Sequence, residues 1–353
     1  MSLAGCATTK GTLSYRERMA QRATKHHFRT QHGLEISSIG IGTYLGQPDD
    51  ATDERYTDAI RRAVELGSNF IDTAANYRFQ RSERAVGRAL EQLANSGFPR
   101  DEVIICTKGG YLPFDGAPPR NVREYVQQRF VDTGVASFED FVGGSHCMTP
   151  SYLHDQLDQS LRNMNIECVD VYYIHNPESQ LGYVGQDEFY YRLGEAFAGL
   201  EQDRERGKLR SYGVATWNGF RSAADSEEFH SLERMVQTAR DAGGDSHGFG
   251  FIQLPFNLAM PEAQTIVNQT VSGENLSTLE AAAKLGITVV ASASILQGRM
   301  AHGLPDEIRS TFGLASDSQT AIQFVRSTAG ITTALIGMSQ VAHVEENMQL
   351  AAL

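Results

Sequence analysis

Short apolar runs alternate with longer amphipathic stretches along most of the chain. The runs are rich in Ile, Val, Phe and Tyr, a composition that favours strands buried on both faces of a parallel sheet. We predict strands over residues 37–43, 69–73, 102–107, 168–174, 211–216, 250–254, 287–293 and 333–337.

The amphipathic stretches carry apolar side chains at helical spacing, and helix signals stand at their ends. Thr149 and Pro150 place a capping hydroxyl before a proline that suits the first helical position. Gly67, Gly207 and Gly286 stand where a helix ends before a strand. We predict helices over residues 54–66, 82–95, 150–164, 189–206, 229–242, 276–285, 317–328 and 341–351.

This alternation of strands and helices predicts a closed (β/α)8 TIM barrel, a fold of the α/β class. A doubly wound sheet would need only about five or six strands. Three connections that follow strands, 109–148, 176–188 and 256–275, are longer than the barrel requires. We therefore expect long loops at the carboxyl-terminal face, where this fold builds its active sites. Residues 31–353 are predicted as a single barrel domain, and the basic segment 1–30 as a partly ordered N-terminal extension.

Polar residues stand at the ends of three successive predicted strands. These are Asp72, Lys108 and His175, and Tyr77 follows the first strand closely. A free tyrosine has a pKa of about 10, which a nearby ammonium group can lower. Asp72 can hold Lys108 through an ion pair, and His175 can orient a carbonyl oxygen toward Tyr77. Each residue alone could have a structural role, but their joint placement predicts a proton-handling cluster.

The residues around this cluster resemble the aldo-keto reductase superfamily, a barrel family of nicotinamide-dependent carbonyl reductases. The resemblance rests on Phe70-Ile71-Asp72-Thr73-Ala74 with Tyr77, on the helix Ser82–Leu90, on Lys108 and on Tyr173-Ile174-His175. It extends over roughly residues 36–350. It implies that Tyr77 is the general acid, that Lys108 and Asp72 tune it, and that His175 positions the substrate carbonyl.

The resemblance also implies a cofactor site, in which Gln253 binds the nicotinamide carboxamide. The residue types at three positions of this site, Ala215, Thr216 and Ser292, are not the ones common in the family. We therefore expect contacts with the nicotinamide that differ from those usual in the family. The cofactor positions that the resemblance implies are Gly42, Thr43, Tyr44, Asp72, Thr216, Trp217, Gln253, Ile295, Leu296, Gly298, Arg299, Gly337, Met338, Ser339, His343, Glu346 and Asn347.

The resemblance makes NADP the expected cofactor and leaves NAD open. Gln340 and His343 occupy the region where NADP-preferring members often carry a Lys or Arg for the 2'-phosphate. No metal site is predicted, because His146, Cys147 and His154 show no convergent ligand pattern. The spacing of Gly40, Gly42 and Gly46 also departs from a dinucleotide fingerprint.

The composition argues against two classes of partner, nucleic acids and membranes. A net charge of -12 argues against nucleic acid, because phosphate binding needs a positive surface. No apolar run approaches the roughly 18 residues that span a bilayer, so no membrane partner is expected. The four cysteines are widely separated, which is typical of a reducing compartment, and we predict a cytoplasmic protein.

The predicted function is reduction of a small aldehyde or ketone with NAD(P)H. Two alternatives stay open at this point: a cofactor-binding redox sensor or regulatory protein with little turnover, and a metal-dependent barrel lyase or hydrolase. The sequence leaves the substrate and the oligomeric state open.

Overall fold

The protein is a closed barrel of eight parallel strands, as the computed structural model of residues 2–353 shows. The barrel strands are β3 (Ile39–Gly42), β4 (Phe70–Asp72), β5 (Ile104–Gly109), β6 (Val169–His175), β7 (Leu209–Ala215), β8 (Phe249–Pro255), β11 (Thr288–Ser292) and β12 (Ile331–Gly337). Around the barrel the order is β11-β12-β3-β4-β5-β6-β7-β8, and β8 pairs with β11 to close it. Each barrel strand overlaps a predicted strand, so the predicted TIM barrel is confirmed.

The helices that cover the barrel overlap the predicted helices one by one. They are α2 (Asp50–Leu66), α3 (Arg81–Asn95), α5 (Pro150–Met164), α6 (Gln186–Glu205), α7 (Leu232–Gly243), α9 (Thr278–Leu285), α11 (Asp317–Ser327) and α12 (Val341–Asn347). Gly67 and Gly286 take the left-handed conformation that ends α2 and α9. Among residues 2–353, no helix combines the length and apolar character needed to cross a membrane.

The apolar core has two layers, because barrel strands point alternate side chains inward and outward. The outward side chains, such as Ile71 and Ile105, pack against the helices. The inward side chains, such as Phe70, Tyr173 and Phe251, fill the barrel. A filled interior leaves space for a ligand only at an end of the barrel.

Residues 2–37 cover the amino-terminal end of the barrel. Helix α1 (Thr9–Arg18) and the hairpin of β1 (Phe28–Gln31) and β2 (Leu34–Ser37) lie there. The side chains of Ala7, Leu34 and Ile36 belong to the same apolar cluster as the barrel interior. The boundary predicted at residue 30 therefore falls inside a hairpin that packs on the barrel.

The three long loops contain structure of their own. The first holds α4 (Val122–Val126) and a π-helical turn, and its aromatic residues Phe130 and Phe141 pack together with Tyr152. The third holds α8 (Glu262–Thr265) and most of the hairpin of β9 (Val267–Val271) and β10 (Glu274–Ser277). Outside these loops, α10 (Asp306–Phe312) lies between β11 and α11. The strand and helix patterns did not predict these short elements.

Candidate active site

A cavity of about 330 Å³ opens at the carboxyl-terminal end of the barrel, which we call the mouth. Residues at or near the carboxyl ends of β3, β4, β6, β7, β8, β11 and β12 contribute to its wall, together with the loops that follow them. Its position is the one that the barrel fold favours for a functional site.

A buried ion pair lies at the base of the mouth. The Nζ atom of Lys108 lies 2.5 Å from Oδ1 of Asp72 and also donates a hydrogen bond to the carbonyl oxygen of Thr73. The other carboxylate oxygen of Asp72 accepts from Nε2 of Gln253 at 2.8 Å. Burial would lower the pKa of Lys108, but the attraction of Asp72 and Tyr77 carries it above its usual value. The ammonium group therefore stays protonated at neutral pH.

Tyr77 faces this ion pair from the loop after β4. The Lys108 Nζ atom lies 5.0 Å from the centre of the Tyr77 ring, and the rings of Tyr77 and His175 are 5.8 Å apart. Residues 78–80 all have positive φ angles although none is glycine. Such strained backbone is common at functional sites, and here it turns the chain sharply from Tyr77 into α3.

The pKa of Tyr77 lies above its usual value. Burial is the larger effect and raises it, while the positive charge of Lys108 acts in the opposite direction. Lys108 thus lowers the pKa of Tyr77, as the sequence predicts, but this effect is smaller than the effect of burial. Tyr77 carries its proton at neutral pH, as a proton donor must.

His175 is held neutral beside Tyr77. Burial, and then repulsion from Lys108 and His146, hold the pKa of His175 well below its usual range. Nε2 of His146 lies 2.8 Å from the backbone oxygen of His175, and the Tyr111 ring packs edge-on against both imidazoles. The neutral His175 ring can share a hydrogen bond with a ligand oxygen without adding a charge.

The structure thus brings Asp72, Tyr77, Lys108 and His175 together. The predicted cofactor positions divide into two groups. Those that line the cavity are Gly42, Thr43, Tyr44, Asp72, Thr216, Trp217, Gln253, Ile295, Gly298 and Gly337. Those that lie outside it are Leu296, Arg299, Met338, Ser339, His343, Glu346 and Asn347.

In the second group, three side chains already make contacts within the protein. Met338 is buried, and its sulfur atom lies 3.5 Å from Nδ2 of Asn347. Glu346 accepts a hydrogen bond from the hydroxyl of Ser316. His343 is exposed on the first turn of α12. Arg299 is likewise exposed, so these two side chains are the accessible charged or titratable groups among the positions outside the cavity that still have no partner.

The cavity is also lined by ten residues that were not among the predicted site residues: Leu45, Asn76, Tyr111, Asn176, Ala215, Ser292, Ala293, Ser294, Gln297 and Leu335. Asn76 and Asn176 are direct neighbours in sequence of Tyr77 and His175. A polar residue next to a predicted site residue was the signal that could have identified both. Tyr111 lies in the first long loop, whose residues Phe130 and Phe141 pack in an apolar cluster and do not line the cavity.

Two buried polar atoms in the wall have no hydrogen-bond partner. They are Oδ1 of Asn76 and Oγ1 of Thr216. Buried polar atoms are normally paired, so these two are suited to a ligand with amide or hydroxyl groups. With Gln253 they form a set of amide and hydroxyl groups that fits the carboxamide of a nicotinamide.

The predicted absence of a metal site concerned His146, Cys147 and His154. In the structure Nδ1 of His154 contacts Asp203 at 2.6 Å, whereas His146 contacts Gln180 and the His175 backbone. Within residues 2–353 no group of three or more His, Cys, Asp or Glu side chains has an arrangement that could hold a metal ion.

Comparison with curated proteins identifies bacterial and fungal relatives. The NADH-specific methylglyoxal reductase of Escherichia coli is 27% identical over 187 residues, 52% of this chain and 49% of that protein. An aldo-keto reductase of Mycobacterium avium is 30% identical over 186 residues, 53% of this chain and 48% of that protein. The chain therefore spans about half the length of these relatives. A putative voltage-gated potassium channel subunit beta of Schizosaccharomyces pombe is 22% identical over 340 residues, 91% of this chain and 86% of that protein.

Comparison with solved structures identifies the same fold. An aldo/keto reductase from Klebsiella pneumoniae, solved with NADP and acetate, has a TM-score of 0.64 at 19% identity and covers 94% of this chain and 91% of its own. The glycerol dehydrogenase of Gluconobacter oxydans has a TM-score of 0.63 at 19% identity, with 93% and 90% covered. The model of the aldo/keto reductase family matches residues 38–244, more than half of the chain. The chain therefore belongs to the aldo/keto reductase family.

Proposed function

We propose that the protein reduces small aldehydes or ketones to alcohols with NAD(P)H. The observation that carries this proposal is the placement of a protonated Tyr77 between the Lys108–Asp72 ion pair and a neutral His175. Family membership supports the same reaction class.

In this proposal the four residues divide the work of proton transfer. When bound, the nicotinamide cofactor supplies a hydride to the carbonyl carbon. Tyr77 donates its hydroxyl proton to the carbonyl oxygen as negative charge develops there. Lys108, held by Asp72, stabilises the negative charge left on Tyr77, and His175 holds the carbonyl oxygen in place.

We propose that Gln253, Asn76 and Thr216 hold the nicotinamide carboxamide. NADP is the expected cofactor, and the NADP-containing Klebsiella pneumoniae structure supports it. The Escherichia coli relative named as NADH-specific keeps NAD open. The four free cysteines fit action in a reducing cytoplasm, and we expect neither nucleic acid nor membrane as a partner.

The proposal is tested by mixing the purified protein with NADPH or NADH and a panel of reactive aldehydes, and following loss of cofactor absorbance. Tyr77→Phe should lose most of the turnover but still bind cofactor. Unchanged turnover in this variant would contradict the role of Tyr77.

The relative named as a potassium channel subunit supports a second candidate, because it matches nearly the whole chain. In this reading the protein binds the cofactor as a redox sensor and turns over little. Cofactor binding without turnover on the whole aldehyde panel would favour it.

A further inference from the structure

Trp217 is the one tryptophan of the chain and stands at the rim of the mouth. Its side chain is 41% exposed, although it lines the same cavity as Tyr44 and Tyr111. It lies two residues after β7, in the connection that leads to α7. An exposed aromatic ring on a loop needs a firm backbone if it is to keep one position.

The backbone of Trp217 is held by a buried carboxylate. Glu178 lies in a short 3-10 turn after β6, and only 7% of it is exposed. Its Oε1 atom accepts the backbone N–H of Trp217 at 2.6 Å and that of Asn218 at 3.2 Å. Hydrogen bonds to a charged acceptor are stronger than those between neutral groups.

Glu178 is charged at neutral pH. Burial would raise the pKa of its carboxyl group, but His230 and the Trp217 N–H outweigh burial and bring it below the usual value. The Nε2 atom of His230 lies 3.6 Å from the second oxygen of Glu178. The carboxylate is therefore an ionised anchor for the loop.

His230 holds the loop from the other side. Its ring stacks on Phe189 with a centroid distance of 5.1 Å, and its backbone N–H donates to the carbonyl oxygen of Gly219 at 2.7 Å. A Cβ atom on Gly219 would lie only 2.2 Å from this ring, so the loop is pressed closely against it.

A third contact fixes the carbonyl group of Trp217. Nη1 of Arg221 donates to this oxygen at 3.1 Å, and Arg221 is itself paired with Glu262. Both polar backbone groups of Trp217 therefore have partners. These contacts hold the backbone from which the indole ring projects.

We propose that Glu178 is a positioning residue that fixes Trp217 at the rim, and that Trp217 so held forms the wall against which flat aromatic carbonyl substrates stack. The substrate part of this inference rests on the proposed function. A carbonyl compound of two or three carbon atoms has no ring that could stack on the indole. An aromatic aldehyde has a ring that can stack on the indole.

The anchoring part is tested by tryptophan fluorescence, because all tryptophan emission comes from Trp217. Glu178→Ala should shift the emission to longer wavelength and increase quenching by acrylamide, since the loop loses its acceptor. Glu178→Gln should show a smaller change, because its amide oxygen can still accept one N–H. Glu227→Gln, in an exposed glutamate of the same loop, should behave like the wild type.

Circular dichroism and thermal melting show whether each variant is folded. If Glu178→Ala does not fold, Glu178→Gln carries the test. Emission and quenching equal to the wild type in the folded Glu178 variants would overturn the anchoring role.

The substrate part is tested by comparing naphthaldehyde with propanal. In Glu178→Ala, kcat/KM for naphthaldehyde should fall roughly three- to tenfold through a higher KM, the range expected for loss of one aromatic contact. The loss for propanal should be smaller than the loss for naphthaldehyde. Trp217→Ala should show the same difference between the two aldehydes, and the double variant no further loss for naphthaldehyde, because the two residues act as a unit.

Equal losses for both aldehydes, additive losses in the double variant, or a rise confined to the KM for cofactor would overturn the substrate part. The two readouts also separate this inference from the proposed function. Absence of turnover with every aldehyde defeats the proposed function, and the fluorescence result still decides the anchoring role.

Discussion

The buried polar groups at the two ends of the barrel have different surroundings. At the amino-terminal end Asp170 accepts hydrogen bonds from the backbone N–H groups of Ala7 and Ile105 and pairs with Arg100 at 2.7 Å. At the mouth, Asp72 is paired with Lys108, but Asn76 and Thr216 nearby keep unpartnered atoms. At the amino-terminal end the ion pair joins chain segments, although Nε of Arg100 there also has no hydrogen-bond partner. At the mouth the unpartnered atoms lie in the wall of a cavity, where a ligand can reach them.

The amino-terminal end is sealed by chain segments far apart in sequence. Leu3 exchanges backbone hydrogen bonds with residues 165 and 167, and the side chains of Leu34 and Ile36 close the barrel interior. The mouth has only loops above it. We therefore expect substitutions at the mouth to affect turnover and substitutions at the amino-terminal end to affect stability.

The largest expected effect is at the mouth. Lys108→Met should lower kcat by about 10²–10⁴-fold, because Tyr77 loses the cation that stabilises its deprotonated form. The measurement is steady-state turnover with a reactive aldehyde at saturating NADPH, beside cofactor binding as a control. A loss of only a few-fold would remove Lys108 from the proposed chemistry.

The matched change at the other end is Asp170→Ala. It leaves Arg100 buried without its partner, which should cost about 3–5 kcal/mol of unfolding free energy. Urea unfolding measures this cost, and turnover per folded molecule should be unchanged. A large loss of turnover in the folded variant would contradict the expectation that the amino-terminal end affects stability alone.

A pH effect should arise from buried neutral histidines. Burial lowers the pKa of His27 to about 3, and its ring contacts Gly67 and Ser38. The pKa of His27 in the unfolded chain is about 6.5. Below that pH the unfolded chain binds a proton at His27 and the folded chain does not, so the free energy of unfolding falls as the pH falls. The contribution of His27 is about 1.4 kcal/mol per pH unit between pH 6 and pH 4.

His27→Gln isolates this contribution. Unfolding free energies of the variant and the wild type, measured in urea at pH 6, 5 and 4, should differ in slope by about 1.4 kcal/mol per pH unit. His146, whose pKa burial lowers to about 4, adds a similar dependence at the mouth. Parallel slopes would show that His27 titrates alike in the folded and unfolded chain.

The smallest expected effect compares two tyrosines. The hydroxyl of Tyr15 donates to the carbonyl oxygen of Val64 at 2.5 Å near the amino-terminal end. Tyr15→Phe should cost about 1 kcal/mol of stability and leave turnover unchanged, the reverse of Tyr77→Phe. Thermal unfolding and turnover of both variants give the four values needed. A loss of turnover in Tyr15→Phe would contradict the comparison.

Much of this fold was open to prediction because its signal is local. A buried parallel strand needs an apolar run, and a covering helix needs an apolar face, so each element leaves its own pattern. Asp72, Lys108 and His175 could be placed at one mouth because parallel strands all end on the same side. The hairpin Val267–Ser277 was missed because its strands are short and largely polar.

The sequence by itself determined the barrel, the candidate proton-handling residues and the family. Only the tertiary structure decided how residues 2–37 close the amino-terminal end and how Glu178 holds Trp217. These contacts join segments that are distant along the chain, and they depend on where side chains and backbone groups meet after folding. The spacing of residues along the sequence does not indicate such contacts, because only the folded barrel brings the partners within hydrogen-bond distance.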